Sequence, residues 1–148
     1  MKNYVYIIVP MLSLISCQIL KFIIESIKKK KFVWGRLFNG AGGMPSTHTS
    51  FCFALTFTCL YQNGLDSPLF AIALVFSMIV SYDAMGVRME SGRQAEAIND
   101  IVENIFKNKP SISIAHLKEE LGHHPEEVFV GIIFAFMIST ICNLVIFK

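Results

Sequence analysis

The residues best suited to chemistry lie in a short stretch of glycines and hydroxyls around one histidine, directly before a long apolar run. The stretch is Gly42-Gly43-Met44-Pro45-Ser46-Thr47-His48-Thr49-Ser50. The glycines let the backbone approach a ligand, and proline suits the first helical position, so a helix that begins at a binding site is predicted. Backbone amides at a helix start bind phosphate-like anions; Ser46 and Thr47 offer further donors, and His48 can exchange a proton near neutral pH. A simple helix cap is the alternative.

A second stretch has the same layout and also precedes a long apolar run. It is Gly122-His123-His124-Pro125-Glu126-Glu127-Val128. Proline falls in the predicted first turn, and two acids follow where the helix dipole favours negative charge. A helix beginning this early would place His123 and Glu127 on one face, where the carboxylate can hold the imidazole in one tautomer. Interfacial histidines and dipole-favoured glutamates without catalysis are the alternative.

The composition is that of a membrane protein. Of the 148 residues, 53% are hydrophobic and 16% are charged, whereas a soluble domain carries about 25% charged residues. One membrane-embedded domain, residues 1–148, is predicted. The net charge of +2 is too weak to indicate nucleic-acid binding. The four cysteines lie inside apolar runs and are predicted to be small core residues: Cys17, Cys52, Cys59 and Cys142.

Four apolar segments are long enough to cross a bilayer, which predicts an all-α bundle of about four transmembrane helices. They are residues 4–27, 47–62, 69–87 and 126–147, the second being marginal in length. Between the third and fourth, residues 94–106 have the spacing of an amphipathic interfacial helix, with Ile98 and Ile101 on one side and Asn99 on the other. A short helix is predicted from Ser113 to Leu121.

Lysine and arginine fall in two of the three connections, and the link at residues 63–68 has none. The basic residues are Lys28, Lys29, Lys30, Lys31 and Arg36 after the first span, and Arg88, Arg93, Lys107, Lys109 and Lys118 after the third. Because positive residues stay inside, a multi-pass protein of the cell membrane is predicted, with both termini outside. Both histidine stretches then begin on the cytoplasmic side, where the other two spans end and supply Lys21, Asp83 and Arg88. A phosphate is the predicted ligand.

Three stretches resemble the divergent branch of the type 2 phosphatidic acid phosphatase family, which is related to vanadium haloperoxidases. They are Gly42-Gly43-Met44-Pro45-Ser46-Thr47-His48, Ser81-Tyr82-Asp83-Ala84-Met85-Gly86-Val87-Arg88 and Leu121-Gly122-His123-His124-Pro125-Glu126-Glu127-Val128. The resemblance implies hydrolysis of a phosphate monoester, a lipid phosphate, through a phosphohistidine and without metal or other cofactor. By match, His123 is the nucleophile, Glu127 replaces the usual aspartate beside it, and His48 is the general acid.

The sequence departs from the broader family at the residues that hold the phosphate. The first family motif is a lysine, six residues and then Arg-Pro; Lys29 and Arg36 have this spacing, but leucine follows. Lys21, within the first span, is the preferred phosphate lysine, although a plain pair with Glu25 is the alternative. The Ser-Arg pair expected before the nucleophile is absent, and Arg88 is the predicted substitute.

Two other classes of function stay open. His48, Asp83, His123 and Glu127 could instead ligate a metal, which the clustered cations disfavour. A small transporter, or a phosphate- or lipid-binding protein that has lost turnover, also fits four spans with intramembrane charges. The expected partners are the lipid bilayer and a phosphoester substrate, and the sequence leaves homo-oligomerisation open.

Overall fold

The computed structural model describes residues 4–32, 34, 43–106, 117 and 124–146, without the side chains of residues 87–89 and 103–106. The described residues form helices and no strands, which confirms the predicted all-α fold. The helices are α1 (Val5–Lys29), α2 (Thr47–Asn63), α3 (Pro68–Met85), α4 (Val87–Phe106) and α5 (Pro125–Ile141), and a π-helical turn, Cys142–Ile146, extends α5.

Among the described residues, three helical stretches are long and apolar enough to cross a membrane. They are Val5–Lys29, a stretch within Pro68–Val102, and Pro125–Ile146. The remaining helix of the bundle, α2, has 17 residues, so at about 1.5 Å per residue it is shorter than the hydrocarbon core of about 30 Å. It packs against α1, α3 and α5 and is therefore the central helix. The chain is a multi-pass membrane protein.

The contacts of α2 are made largely by small polar side chains. The hydroxyls of Ser13 and Ser50 share a hydrogen bond of 2.7 Å, which joins α1 to α2. Those of Thr56 and Ser77 share one of 2.8 Å, which joins α2 to α3. All four residues are buried. Since lipid is as apolar as leucine, membrane helices associate through such small residues and hydrogen bonds, while large apolar side chains face outward.

Two hydrogen bonds at the C-terminal end of α2 fix the directions of α1 and α5. Tyr6, near the start of α1, donates to Asn63 at the end of α2 over 2.6 Å, so the two helices are antiparallel. Gln62 donates to Asn143, beyond the end of α5, over 2.9 Å, so α2 and α5 are parallel. The starts of α2 and α5 therefore lie at the end of the bundle where α1 ends, as predicted.

The connection after α3 differs from the prediction. The amphipathic helix begins at Val87, seven residues earlier than predicted, and only Gly86 separates it from α3. Two of its isoleucines, Ile98 and Ile101, are exposed, as the apolar face of an interfacial helix would be. Asn99, predicted on the polar side of the helix, is buried. Its side-chain amide donates to the C=O of Leu117 and accepts from the N–H of Leu117, each over 2.9 Å. Leu117 is not helical, and the rest of the predicted short helix lies outside the described residues.

Candidate functional site

The start of α2 is organised by Ser46, which is the N-cap residue. Its hydroxyl oxygen accepts from the backbone N–H of Thr49 over 3.5 Å and from the Thr49 hydroxyl over 3.0 Å. The capping interpretation is therefore correct for this hydroxyl. The prediction that Pro45 opens the helix is wrong: Ser46 takes the cap, so the helix begins at Thr47 and the proline precedes it. Gly43 has a φ of 80°, a left-handed conformation that favours glycine.

The Thr47 side chain fastens the start of α2 to α1. Its hydroxyl donates to the Gln18 side-chain oxygen over 3.4 Å and accepts from the Cys17 thiol over 3.7 Å. The same thiol lies 3.6 Å from the carbonyl oxygen of Pro45. The hydroxyls of Ser46 and Thr47, predicted as phosphate donors, thus hold the helix start in place.

The starts of α2 and α5 are in direct contact. The backbone N–H of Ser46 donates to the carbonyl oxygen of Glu127 over 2.9 Å. One turn further along α5, a Cβ atom on Gly131 would lie 2.9 Å from the Ser46 carbonyl oxygen, so only glycine allows this approach. The convergence of the two helix starts was predicted from topology, and the described backbone confirms it. Two positive helix-dipole ends lie side by side as a result.

The start of α5 bears on the predicted pairing of His123 and Glu127. His124 is the N-cap, Pro125 opens the helix, and Glu126 and Glu127 occupy the first turn, as expected. His123 lies outside the described residues and directly precedes the cap in the sequence. The shared-face argument required a helix that includes position 123, and α5 begins two residues later. The role of Glu127 beside this histidine stays a prediction.

A buried lysine lies near the end of α1. Lys21 is 2% exposed and contributes to a cavity of about 300 Å³. The described lining is Lys21, Ile24, Glu25, Lys28, Lys29, Gly43 and Met44. Within it, Glu25 pairs with Lys29 over 2.6 Å. A cation in such low-dielectric surroundings attracts an anion far more strongly than one in water. Lys21 and Gly43, both predicted to bind phosphate, are thus brought to one cavity.

The structure does not bring the other predicted site residues into the Lys21 cavity as it is described. His48 is the second residue of α2, and its side chain is exposed. Asp83 is exposed in the last turn of α3. Arg36 and the Arg88 side chain lie outside the described part of the chain. Among the described residues, which exclude His123, no three histidine, cysteine, aspartate or glutamate side chains are grouped to hold a metal ion.

Two features that position the site were not predicted from the sequence. Gly131 sets the approach of α5 to α2, and Cys17 supports the segment before α2. The signal for Gly131 was present in the sequence, since a glycine inside an apolar span commonly marks a close helix contact. No comparable signal existed for Cys17, because its partner lies 28 residues away.

Comparison with known proteins identifies the family. The sequence model of the family described as the divergent PAP2 family matches residues 1–138. The chain belongs to this family. The match includes α1 to α4 in full and most of α5 of this PAP2-related bundle. A relative described as the uncharacterized membrane protein YuiD of Bacillus subtilis (strain 168) is 39% identical over 136 residues, which cover 82% of this chain and 85% of the relative. No solved structure matches the chain.

Proposed function

We propose that this chain is a membrane phosphatase that hydrolyses a phosphate monoester of a lipid through a phosphohistidine, without a metal. The observation that carries the proposal is the 2.9 Å hydrogen bond from Ser46 to Glu127. It joins the helix start that bears His48 to the helix start that follows His123. Membership in the divergent PAP2 family supports a phosphatase-related protein.

The proposed reaction has two steps. In the first, the neutral imidazole of His123 attacks phosphorus, the phosphorus–oxygen bond of the ester breaks, and His48 protonates the departing alkoxide. Glu127 stabilises the imidazolium that forms, as the acid of a catalytic triad does. In the second, water attacks the phosphohistidine, its proton passes to His48, and phosphate leaves with the nucleophile regenerated.

The proposed binding of the phosphate oxygens uses the two helix starts and the buried lysine. Paired helix N-termini direct partial positive charge at one place, where charge builds up in the transition state. Lys21 adds a full charge from the neighbouring cavity, which reaches Gly43 at the approach to α2. Arg88 and Arg36 are proposed to complete the clamp.

The lipid substrate and the orientation are part of the proposal. The cavity lies where α1 ends, at the level where a lipid phosphate would meet the bundle. The lysines at that end favour the cytoplasmic side of the cell membrane, with both termini outside. Cysteine labelling at Asn63 and Asn108 from the two sides of the membrane tests this, because the proposed topology places the two sites on opposite sides. Labelling of both from one side would contradict it.

The decisive experiment measures phosphate release from a panel of lipid phosphates by the protein purified in detergent, with and without a chelator. Release that resists the chelator and disappears in His123→Ala is expected. Release that the chelator abolishes would replace the histidine mechanism with a metal-dependent one. Acid-labile phosphate trapped on the parent protein, and not on His123→Ala, would identify the intermediate directly.

A second candidate function is binding or transport of a phosphate-bearing lipid without turnover. The observation in its favour is that the hydroxyls of Ser46 and Thr47 are held by protein partners. Helix α5 also begins after His123, so the helix itself does not align this histidine with Glu127. Tight vanadate binding without phosphate release on any substrate would support this function over the first.

A further inference from the structure

Aromatic rings and lysines gather at the end of α1 and in the residues that follow it. They are here called the aromatic–lysine surface: Phe22, which is half-buried, and the exposed Lys30, Lys31, Phe32 and Trp34. The helix ends at Lys29, and Lys30 has a φ of 50°, a left-handed conformation that turns the chain back. The chain then returns along the helix. Phe32 and Trp34 pack on Phe22, with ring centroids 6.4 Å and 5.5 Å away. The returning segment thus forms a compact group of three rings.

The rings stay open to the surroundings beside a cavity. Phe32 is 75% exposed and Trp34 is 65% exposed. The cavity has a volume of about 290 Å³ and is lined by Ser26, Ile27, Lys30, Lys31 and Phe32. Aromatic rings at the end of a membrane helix lie at the level of the lipid headgroups, and lysines beside them attract anionic lipids. The cavity therefore combines an apolar wall with two cations at headgroup depth.

The charge of this surface is not neutralised by described protein groups. Four consecutive lysines occupy positions 28 to 31, two in the last turn of α1 and two beyond it, and Glu25 is paired with Lys29. Within the described part of the chain, neither Lys30 nor Lys31 has an ion pair. The surface differs from the Lys21 cavity, whose described lining includes neither Lys30 nor Lys31. An anion bound between these two lysines would lie outside the proposed catalytic site.

We propose that the aromatic–lysine surface binds the phosphate headgroup of an anionic phospholipid of the surrounding bilayer. The headgroup phosphate lies between the ammonium groups of Lys30 and Lys31. The glycerol region packs on Phe32 and Trp34, and an acyl chain descends beside Ile27, which is 71% exposed. The lipid holds the end of α1 at the membrane surface. The proposal is independent of the phosphatase activity, because it requires neither histidine.

Trp34 is the single tryptophan of the chain and serves as the probe. The full-length protein is reconstituted in phosphatidylcholine vesicles that contain a small fraction of brominated lipid, either phosphatidylglycerol or phosphatidylcholine. Brominated phosphatidylglycerol should quench the fluorescence of Trp34 several times more strongly than brominated phosphatidylcholine at equal fraction. Neutralising each lysine should lower the relative affinity for phosphatidylglycerol by about fivefold, so Lys30→Gln/Lys31→Gln should remove the preference.

The matched control is Lys107→Gln/Lys109→Gln, which removes the same charge from another connection on the same predicted side. This variant should keep the preference for phosphatidylglycerol. Equal quenching of the parent by the two lipids would overturn the proposal, as would a preference that survives Lys30→Gln/Lys31→Gln. An equal loss in both double variants would show a general effect of surface charge and would also overturn it.

Discussion

Replacing Gly131 by alanine tests whether the starts of α2 and α5 must lie in contact for the site to work. The new Cβ atom would lie 2.9 Å from the carbonyl oxygen of Ser46 and 3.3 Å from the Cβ of Thr49. Carbon and oxygen atoms in tight packing are separated by about 3.3 to 3.6 Å. The two helices would therefore have to move apart by about 0.5 Å to accept the methyl group.

The expected losses of stability and of activity follow from this movement. The bond from Ser46 N–H to the Glu127 carbonyl, 2.9 Å long in the parent, would lengthen to about 3.4 Å, beyond the normal range. Overpacking costs about 1 to 3 kcal/mol and the weakened hydrogen bond about 1 kcal/mol, whereas the helix propensity of alanine returns about 1 kcal/mol. We expect a net loss of about 1 to 3 kcal/mol in unfolding free energy. Because a 1 Å misplacement can lower a rate by about 100-fold, kcat should fall by about tenfold.

The control is Gly64→Ala, at the opposite end of α2. Gly64 has a φ of 81°, so alanine is strained there, but no atom outside the adjacent residues lies within 4 Å of the added Cβ. Unfolding temperature in detergent and kcat for phosphate release are measured for both variants; where turnover is absent, vanadate affinity replaces kcat. Both variants should unfold at a lower temperature than the parent, and only Gly131→Ala should have a lower kcat or a lower vanadate affinity. If Gly131→Ala is as stable and as active as the parent, the close contact between the helix starts is refuted.

Three further predictions concern side chains of the candidate site. Lys21→Met should weaken vanadate binding by about 10- to 100-fold, the equivalent of a charge-assisted contact of about 1.5 to 3 kcal/mol. The control variant Lys30→Met should bind vanadate as tightly as the parent. If the two variants bind vanadate equally well, Lys21 has only a structural role. Ser46→Ala should lower the unfolding free energy by about 0.5 to 2 kcal/mol through loss of the cap, measured by thermal denaturation, and an unchanged transition would refute the capping role. His123→Ala should abolish turnover on every substrate, whereas His48→Ala should impair hydrolysis of an alkyl phosphate far more than of a nitrophenyl phosphate, whose leaving group hardly needs a proton. The reverse pattern would exchange the two roles.

Helix positions and directions could be predicted from the sequence because they depend on local properties. Apolar run length places α1, α3 and α5. The order of the spans then brings the starts of α2 and α5 to one end. These inferences need only chain connectivity and the cost of burying polar backbone in lipid.

The finer geometry of the site could not be predicted, since it depends on partners far apart in the sequence. The start of α2 is a local exception: Pro45 was expected to open the helix, whereas the alternative of a cap, made by Ser46 with Thr49 three residues away, is the one observed. Asn99 was assigned to the polar side of its helix by its residue type alone, whereas its bonds to Leu117 bury it. Helical periodicity identifies the polar and apolar faces of a helix. It carries no information about which residues, distant in the sequence, will contact those faces.

The polar lining of α2 has a consequence for how the protein is made. The helix that carries His48 is short and buries hydroxyl groups, such as those of Ser50 and Thr56, that bond to α1 and α3. Alone in lipid it would lose these partners, whereas the three long apolar helices meet the requirements for crossing on their own. Stable insertion of α2 therefore depends on its neighbours. The start of α5 contacts the start of α2 only after the last span has been synthesised. The site is completed at the end of membrane integration, so a truncated or partly inserted chain would have no site.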